Sequence, residues 1–202
     1  MSDYQFEQLE ALSQVRLHLK ALSRSEKEKL RVLIVDYLEF RRRVDRYLET
    51  YFGTVCDRTC YQSRLSACCS REGIITFFAD VVINLLMSDA TEIDALSKVL
   101  GAENTGFKCV YLGQDGCLWR LKPIVCQMFL CEPARAKVFS KHPEAEAEWL
   151  NLEHRRKQFT WPDRPVLFDA LEKYFIAAGC ASSLMYLHHS PGLLRVKRKA
   201  GI

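Results

Sequence analysis

Eight of the nine cysteines fall between Cys56 and Cys131, a span where an even scatter along 202 residues would put about three. Cys56, Cys60, Cys68 and Cys69 form a first group, and Cys109, Cys117, Cys126 and Cys131 a second. Clustering of this kind points to thiolates that hold a metal ion or an iron–sulfur cluster. The spacings narrow the options. No Cys-x2-Cys pair occurs, which excludes zinc-ribbon knuckles and bacterial ferredoxin runs. Cys56-x3-Cys60 is followed by seven residues before the next cysteine, so the radical-SAM triplet is missing as well.

The second group lies in the run KCVYLGQDGCLWRLKPIVCQMFLC, residues 108–131. Asp115-Gly116, between Val110-Tyr111-Leu112 and Leu118-Trp119, predicts a β-hairpin, because glycine supplies the positive φ of a tight turn. A hairpin brings Cys109 and Cys117 to neighbouring ends of a reversing chain. Cys126 and Cys131 then approach from a loop opened by Pro123. Four thiolates so placed satisfy a tetrahedral zinc or one cubane cluster. The first group is looser, and the adjacent Cys68 and Cys69 cannot point the same way on regular structure. Thr59, Gln62, Ser63, Ser66 and Ser70 around it are able to donate hydrogen bonds to metal-bound sulfur.

The segment resembles the signature of the YkgJ-type family of zinc- or iron-chelating proteins. Cys68-Cys69, Cys109, Leu112, Gly116-Cys117, Trp119, Pro123, Cys126, Phe129 and Cys131 fit that pattern. Lys122 and Gln127 stand where the family favours arginine, and Cys60 lies further from Cys68 than in the compact family form. Clustering and the resemblance together point to Cys56, Cys60, Cys68, Cys69, Cys109, Cys117, Cys126 and Cys131 as ligands of zinc or of an iron–sulfur cluster. Because the family includes flagellin-lysine methylase-like members, it also admits a redox or group-transfer role.

Apolar residues make up 49% of the chain, enough for a folded core. We expect one domain over 1–202, mainly α, with a small cysteine-rich metal-binding insert that contains the short hairpin. Its parts are a helical hairpin (1–52), the cysteine core (53–131), C-terminal helices (132–190) and a basic tail (191–202). MSDYQFEQLEAL has neither a basic n-region nor an apolar h-region, so no signal peptide is read and a cytoplasmic location is expected. In a reducing compartment, clustered cysteines favour metal over disulfides. The net charge of +4 resides in Arg195, Lys197, Arg198 and Lys199, and the other 25 cations balance 25 acidic residues. That balance argues against nucleic acid as a partner and leaves the tail as a docking strip for a protein or a solvated terminus. Arg41-Arg42-Arg43 reads as a solvated helix face rather than a phosphate site.

Phe6, Leu9, Leu12, Leu19 and Leu22 predict an amphipathic helix over 5–22. Ser25-x-x-Glu28 reads as a capping box for a second helix carrying Leu30 to Tyr51 and stopping near Gly53, the two packed as an antiparallel hairpin. Gly73–Met87 predicts a buried central helix, too short to cross a membrane and interrupted by Asp80 and Asn84. Asp80 is either a hydrogen-bonding edge residue or a ligand. A short helix opens at Ala90-Thr91-Glu92-Ile93, and Glu132-Pro133 turns the chain. A further helix starts at Pro143, and a last one, capped by Asp163-x-Pro165, faces inward through Leu167, Ala170, Leu171, Tyr174, Phe175 and Ala178 to Gly179. Cys180 reads as a small buried hydrophobe, and His188-His189 as surface or packing residues with ligation as the sharper alternative.

Three functions follow. The first is a cytosolic metal-binding protein. The second is a helical assembly protein in which metal only braces a loop. The third is an enzyme with one activated thiolate, but His18, His142, His154, His188 and His189 all lie outside the cluster, so no base is paired with it.

Overall fold

A computed structural model describes residues 3–63, 68–70, 75–160 and 166–185. It is mainly helical, with one two-stranded antiparallel hairpin, and no described helix is long and apolar enough to cross a membrane. In order come α1 (Asp3–Ala21), α2 (Arg24–Leu33), α3 (Val35–Phe52), a π-helix (Gly53–Tyr61), α4 (Phe78–Met87) and α5 (Ala90–Gly101). There follow β1 (Leu112–Gly113), β2 (Gly116–Cys117), the single turn α6 (Ile124–Gln127), α7 (Glu132–Phe139), α8 (Pro143–Thr160) and α9 (Leu167–Ala177).

The centre of the core is α4, buried at every position from Phe78 to Leu86. It packs against α1, α9 and α2, while α3 lies on α7 and α8. One buried cluster runs from Ala11 to Met185. The cysteine-rich region is therefore not an insert on a helical domain: the helix it encloses is the middle of the core.

Several boundaries differ from those the periodicity predicts. The expected hairpin of two helices is not the packing unit, since α1 has α4 and α5 as its main neighbours. Its inward face is Gln5, Gln8, Ala11, Leu12, Val15 and Leu19, while Phe6 is exposed. The glutamines are buried because each finds a polar partner. Gln5 Nε2 donates to the Leu100 and Ala102 carbonyls at 3.1 and 2.7 Å, closing the end of α5, and Gln8 Oε1 accepts from the Tyr111 hydroxyl at 3.1 Å.

The capping box of α2 is Ser23 with Glu26, not Ser25 with Glu28: Glu26 N donates to Ser23 Oγ at 3.2 Å, and Ser23 N to Glu26 Oε2 at 2.8 Å. Both spacings fit the motif, and the earlier serine wins because α1 ends only two residues before it. The second helix breaks at Ile34, inside the β-branched run Val32, Ile34 and Val35, where helix propensity is low. Gly53 does not stop α3. Its φ of −51° and ψ of −48° are helical, and the chain continues as the π-helix.

The buried central helix begins at Phe78, five residues later than Gly73, with Phe77 N donating to the Asp80 carboxylate at 3.1 Å. Glu132-Pro133 opens α7 rather than a plain turn, since proline fits the first helical turn, where its missing N–H costs nothing. α5 and α8 start where expected, α5 with a full Asp89–Glu92 capping box. The inward face of α9 is Phe168, Asp169, Leu171, Glu172 and Phe175, so Ala170 and Ala178 point outward. Gly179, at φ +87°, ends it with Cys180 N donating to the Phe175 carbonyl at 3.0 Å. The Asp163-x-Pro165 cap lies outside the described residues.

Candidate metal centre

The segment between Cys117 and Cys126 is held from below by side chains of α3 and α4. Asn84 Oδ1 accepts from Leu121 N at 2.9 Å, and Asp80 Oδ1 accepts from Ile124 N at 3.1 Å. Arg41 Nη2 donates to the Lys122 carbonyl at 2.7 Å, and its Nη1 to the Tyr37 hydroxyl at 3.0 Å. All three clamping residues are buried. Such groups survive in a core because their bonds offset desolvation, and together they fix the backbone of 121–124. Asp80 is thus a structural clamp. Burial pushes its carboxyl up to about 6, against the lowering effect of its two backbone donors and of Arg41.

The hairpin forms as expected, with Leu112 opposite Cys117 and Gly113 opposite Gly116. Gly116 adopts φ +115°, a conformation that a side chain resists. Leu118 N donates to the Tyr111 carbonyl at 2.9 Å, and Tyr61 of the π-helix donates its hydroxyl to the Gln114 carbonyl at the turn. The two cysteine groups meet along one stretch: Cys109 N donates to the Cys69 carbonyl at 3.0 Å, beside a Ser70–Lys108 bridge.

Each remaining cysteine has its own support. Cys126 sits in α6, and Cys131 precedes α7, where Arg135 N donates to its carbonyl at 3.0 Å. Cys56 and Cys60 ride on the π-helix, whose wide i→i+5 turn keeps residues four apart near one face. All nine cysteines are free thiols, with Cys56 and Cys68 exposed and the others half-buried.

Electrostatic influence, passed pairwise from thiol to thiol, links all eight expected ligands. Cys69 lies within reach of Cys109 and Cys117, and Cys109 of Cys117 and Cys126. Cys126 also reaches Cys117 and Cys68, and Cys56 reaches Cys68, Cys131 and Cys60. Burial pushes Cys56 and Cys109 up to about 11 and raises Cys117 and Cys126 as well. The Cys68 thiol donates to Cys69 sulfur, which raises Cys68 and lowers Cys69. Lys122 lowers Cys56, Cys68, Cys69 and Cys117.

Backbone N–H groups also aim at sulfur: Tyr111 and Leu112 at Cys109, Trp119 at Cys117, and Ile75 at Cys126. Donors of this kind stabilise a thiolate. Below the second group Tyr4 is half-buried beside Thr76 and Tyr111, near Cys109 and Cys126, and the buried Trp119 Nε1 has no acceptor among the described residues. Soft sulfur donors, amide donors onto them and a neighbouring ammonium together fit a thiophilic ion. The spacing is looser than the chemistry. Among the described residues no three His, Cys, Asp or Glu side chains converge so as to hold one ion, so ligation requires the thiols to draw in.

The other candidates separate cleanly. Cys180, half-buried and raised by burial, lies just past the end of α9. His18 packs edge-on against Tyr174 and Phe175, and His142 pairs with Glu144 at 3.1 Å. His188 and His189, the basic tail, Ser66 and the Thr59 side chain lie outside the described residues. Gln62 donates to Asp57, and Ser63 to the Cys60 carbonyl, so both brace the π-helix end. Arg41 departs from the expected solvated face, being buried beneath the second cysteine segment, whereas Arg42 and Arg43 are not.

Sequence reasoning missed the clamping roles of Arg41 and Asn84 and the Gln8 contact. Asp80 and Asn84, four residues apart on an otherwise apolar helix, carried a signal for two of the clamps, since polar groups in such a setting need partners. Arg41 carried none, because its neighbours are also arginines. No family model, curated protein or solved structure matches this chain.

Proposed function

We propose that this protein binds a thiophilic metal, as zinc or an iron–sulfur cluster, through Cys56, Cys60, Cys68, Cys69, Cys109, Cys117, Cys126 and Cys131. The observation that carries this reading is selective gathering. Eight thiols from the π-helix, the Cys68–Cys69 pair, the hairpin and the α6–α7 segment are linked pairwise by their electrostatic influence, while the Cys180 thiol is raised by burial. The YkgJ-type resemblance supports six of them, Cys68, Cys69, Cys109, Cys117, Cys126 and Cys131.

When bound, zinc would supply a cross-link and an iron–sulfur cluster an electron store. The chain's own residues do the rest. The amides of Tyr111, Leu112, Trp119 and Ile75 stabilise thiolate sulfur. Lys122 offsets part of the charge that several thiolates accumulate. Arg41, Asp80 and Asn84 hold the second cysteine segment in place, and the apolar face of α4 keeps water from beneath it. The bracing role is supported by the same clamps, which anchor the segment to the core.

The deciding experiment is anaerobic purification with a UV–visible spectrum and metal analysis on one sample. Broad absorbance near ~400 nm with iron and acid-labile sulfide assigns an iron–sulfur cluster. A colourless protein holding zinc assigns a bracing site whose removal by chelator loosens the fold. Metal-free protein with all its thiols titratable, even after anaerobic reconstitution with zinc or with iron and sulfide, would overturn the proposal.

A further inference from the structure

Cys68 and Cys69 are neighbours in the chain, and their side chains meet. Consecutive residues on regular structure do not present their side chains to each other. On a strand they point to opposite faces, and on a helix they diverge around the axis. This pair stands outside the helices and strands, and the Cys68 thiol donates to Cys69 sulfur. The backbone that follows is tied down. Cys109 N donates to the Cys69 carbonyl at 3.0 Å, and Ser70 pairs with Lys108 in an antiparallel bridge.

The two sulfurs differ in access, Cys68 being exposed and Cys69 half-buried. A bond between them carries strain, because adjacent α-carbons stand about 3.8 Å apart, against roughly 4.4–6.8 Å across ordinary disulfides. Strained and accessible disulfides are the ones that external thiols reopen. In a reducing compartment the disulfides that form are mostly of this transient kind. Cys56 is the other exposed thiol, but its nearest cysteine in the chain, Cys60, lies a full turn further along the π-helix.

We propose that Cys68 and Cys69 form a redox modification site, a vicinal dithiol that low-molecular-weight disulfides such as glutathione disulfide convert reversibly into a Cys68–Cys69 disulfide. The reaction is thiol–disulfide exchange and needs no metal, so it does not rest on the metal-binding reading above. Exposed Cys68 attacks one sulfur of the external disulfide and forms a mixed disulfide. The sulfur–sulfur bond of the reagent breaks, and the first thiol leaves with the Cys68 proton. Cys69, whose sulfur already touches that of Cys68, then attacks the Cys68 sulfur, and the second thiol leaves with the Cys69 proton. Two protein thiols are oxidised, and one external disulfide is reduced to two thiols. The tie from the Cys69 carbonyl to Cys109 holds the attacking residue in place, which favours the second step over escape of the adduct. Ring closure also withdraws both sulfurs from metal binding, so the disulfide and an ion held through this pair exclude each other.

The test is treatment of the full chain, stripped of any ion by chelator and checked by circular dichroism, with one equivalent of glutathione disulfide. Samples are quenched with acid over time and mapped by mass spectrometry after trypsin. Cleavage at Arg64 and Arg71 leaves these two cysteines alone on one peptide, so their disulfide reads as the loss of two hydrogens from it. It should form about tenfold or more ahead of any other protein disulfide and reopen with reduced glutathione. Cys69→Ser should stop at a glutathione adduct on Cys68. If stripping alters the circular dichroism, the chain as purified is treated with excess reagent, and the same peptide should oxidise as the ion is released. A first disulfide elsewhere, a Cys69→Ser chain with no adduct on Cys68, or both thiols intact under excess reagent would overturn the proposal. None of these outcomes bears on whether the reduced chain binds metal, which the spectrum and metal analysis decide.

Discussion

The two cysteine groups hold equal numbers of thiols but differ in how the fold supports them. The second group, from Cys109 to Cys131, rests on a hairpin and on three buried polar side chains reaching up from α3 and α4. The first, from Cys56 to Cys69, extends a helix past its expected end, carries local bonds such as Gln62 to Asp57 and Ser63 to Cys60, and meets the second group through Tyr61–Gln114 and Cys69–Cys109. The difference teaches that one cluster of thiols is built to two tolerances: one half is fixed by side chains of the core, and the other is not.

The comparison can be broken in four ways. Arg41→Ala should be the most damaging, because it strands the Lys122 carbonyl and the Tyr37 hydroxyl in a buried site. The expected loss is about 3 kcal/mol in urea unfolding, with faster amide exchange in 118–127. A variant with wild-type stability would show that the second segment holds itself.

Asp80 gives a pH signature in the metal-free protein. Its carboxyl sits at about 6 in the fold against 3.8 ordinarily, so the folded state binds the proton more tightly. That contribution is fully present below pH ~4 and is lost as pH rises through ~6, a change of roughly 2 to 3 kcal/mol. Unfolding free energies of wild type and Asp80→Asn, compared at pH 4 and pH 7, should shift relative to each other by that amount. A difference that stays constant with pH would mean that the backbone donors and Arg41 fully offset the burial that raises the carboxyl.

Gly116→Ala tests the hairpin. Nothing lies within 4 Å of the added methyl, so the penalty is conformational only, about 1 kcal/mol from φ +115°. Thermal unfolding should register it, and a neutral result would mean that the turn relaxes freely. Gln62→Ala, in the first group, should fall within about 0.5 kcal/mol of wild type by the same assay. A loss as large as that of Arg41→Ala would erase the contrast between the halves.

Much of the outline was legible in the residues. Asp115-Gly116 placed the hairpin, Pro143 the start of α8, and the apolar run ending at Met87 the buried central helix. Local rules suffice where a turn or a helix start is decided by its own few residues. They failed where two local solutions competed, as at Ser23 and Ser25, or where burial depended on a distant partner, as for Gln5, Gln8 and Arg41. Gly53 shows the same limit. A glycine permits a helix to end, but neighbouring elements decide whether it does.

By itself the sequence determined which atoms are available: eight clustered thiols, a hairpin to carry two of them, and an apolar helix between the groups. Those follow from residue chemistry and short-range backbone preference. Only the tertiary structure decided which thiols face one another, which segment is pinned and which is left adjustable. Those outcomes depend on side chains far away in sequence, such as Arg41 and Lys122, whose meeting no local pattern records.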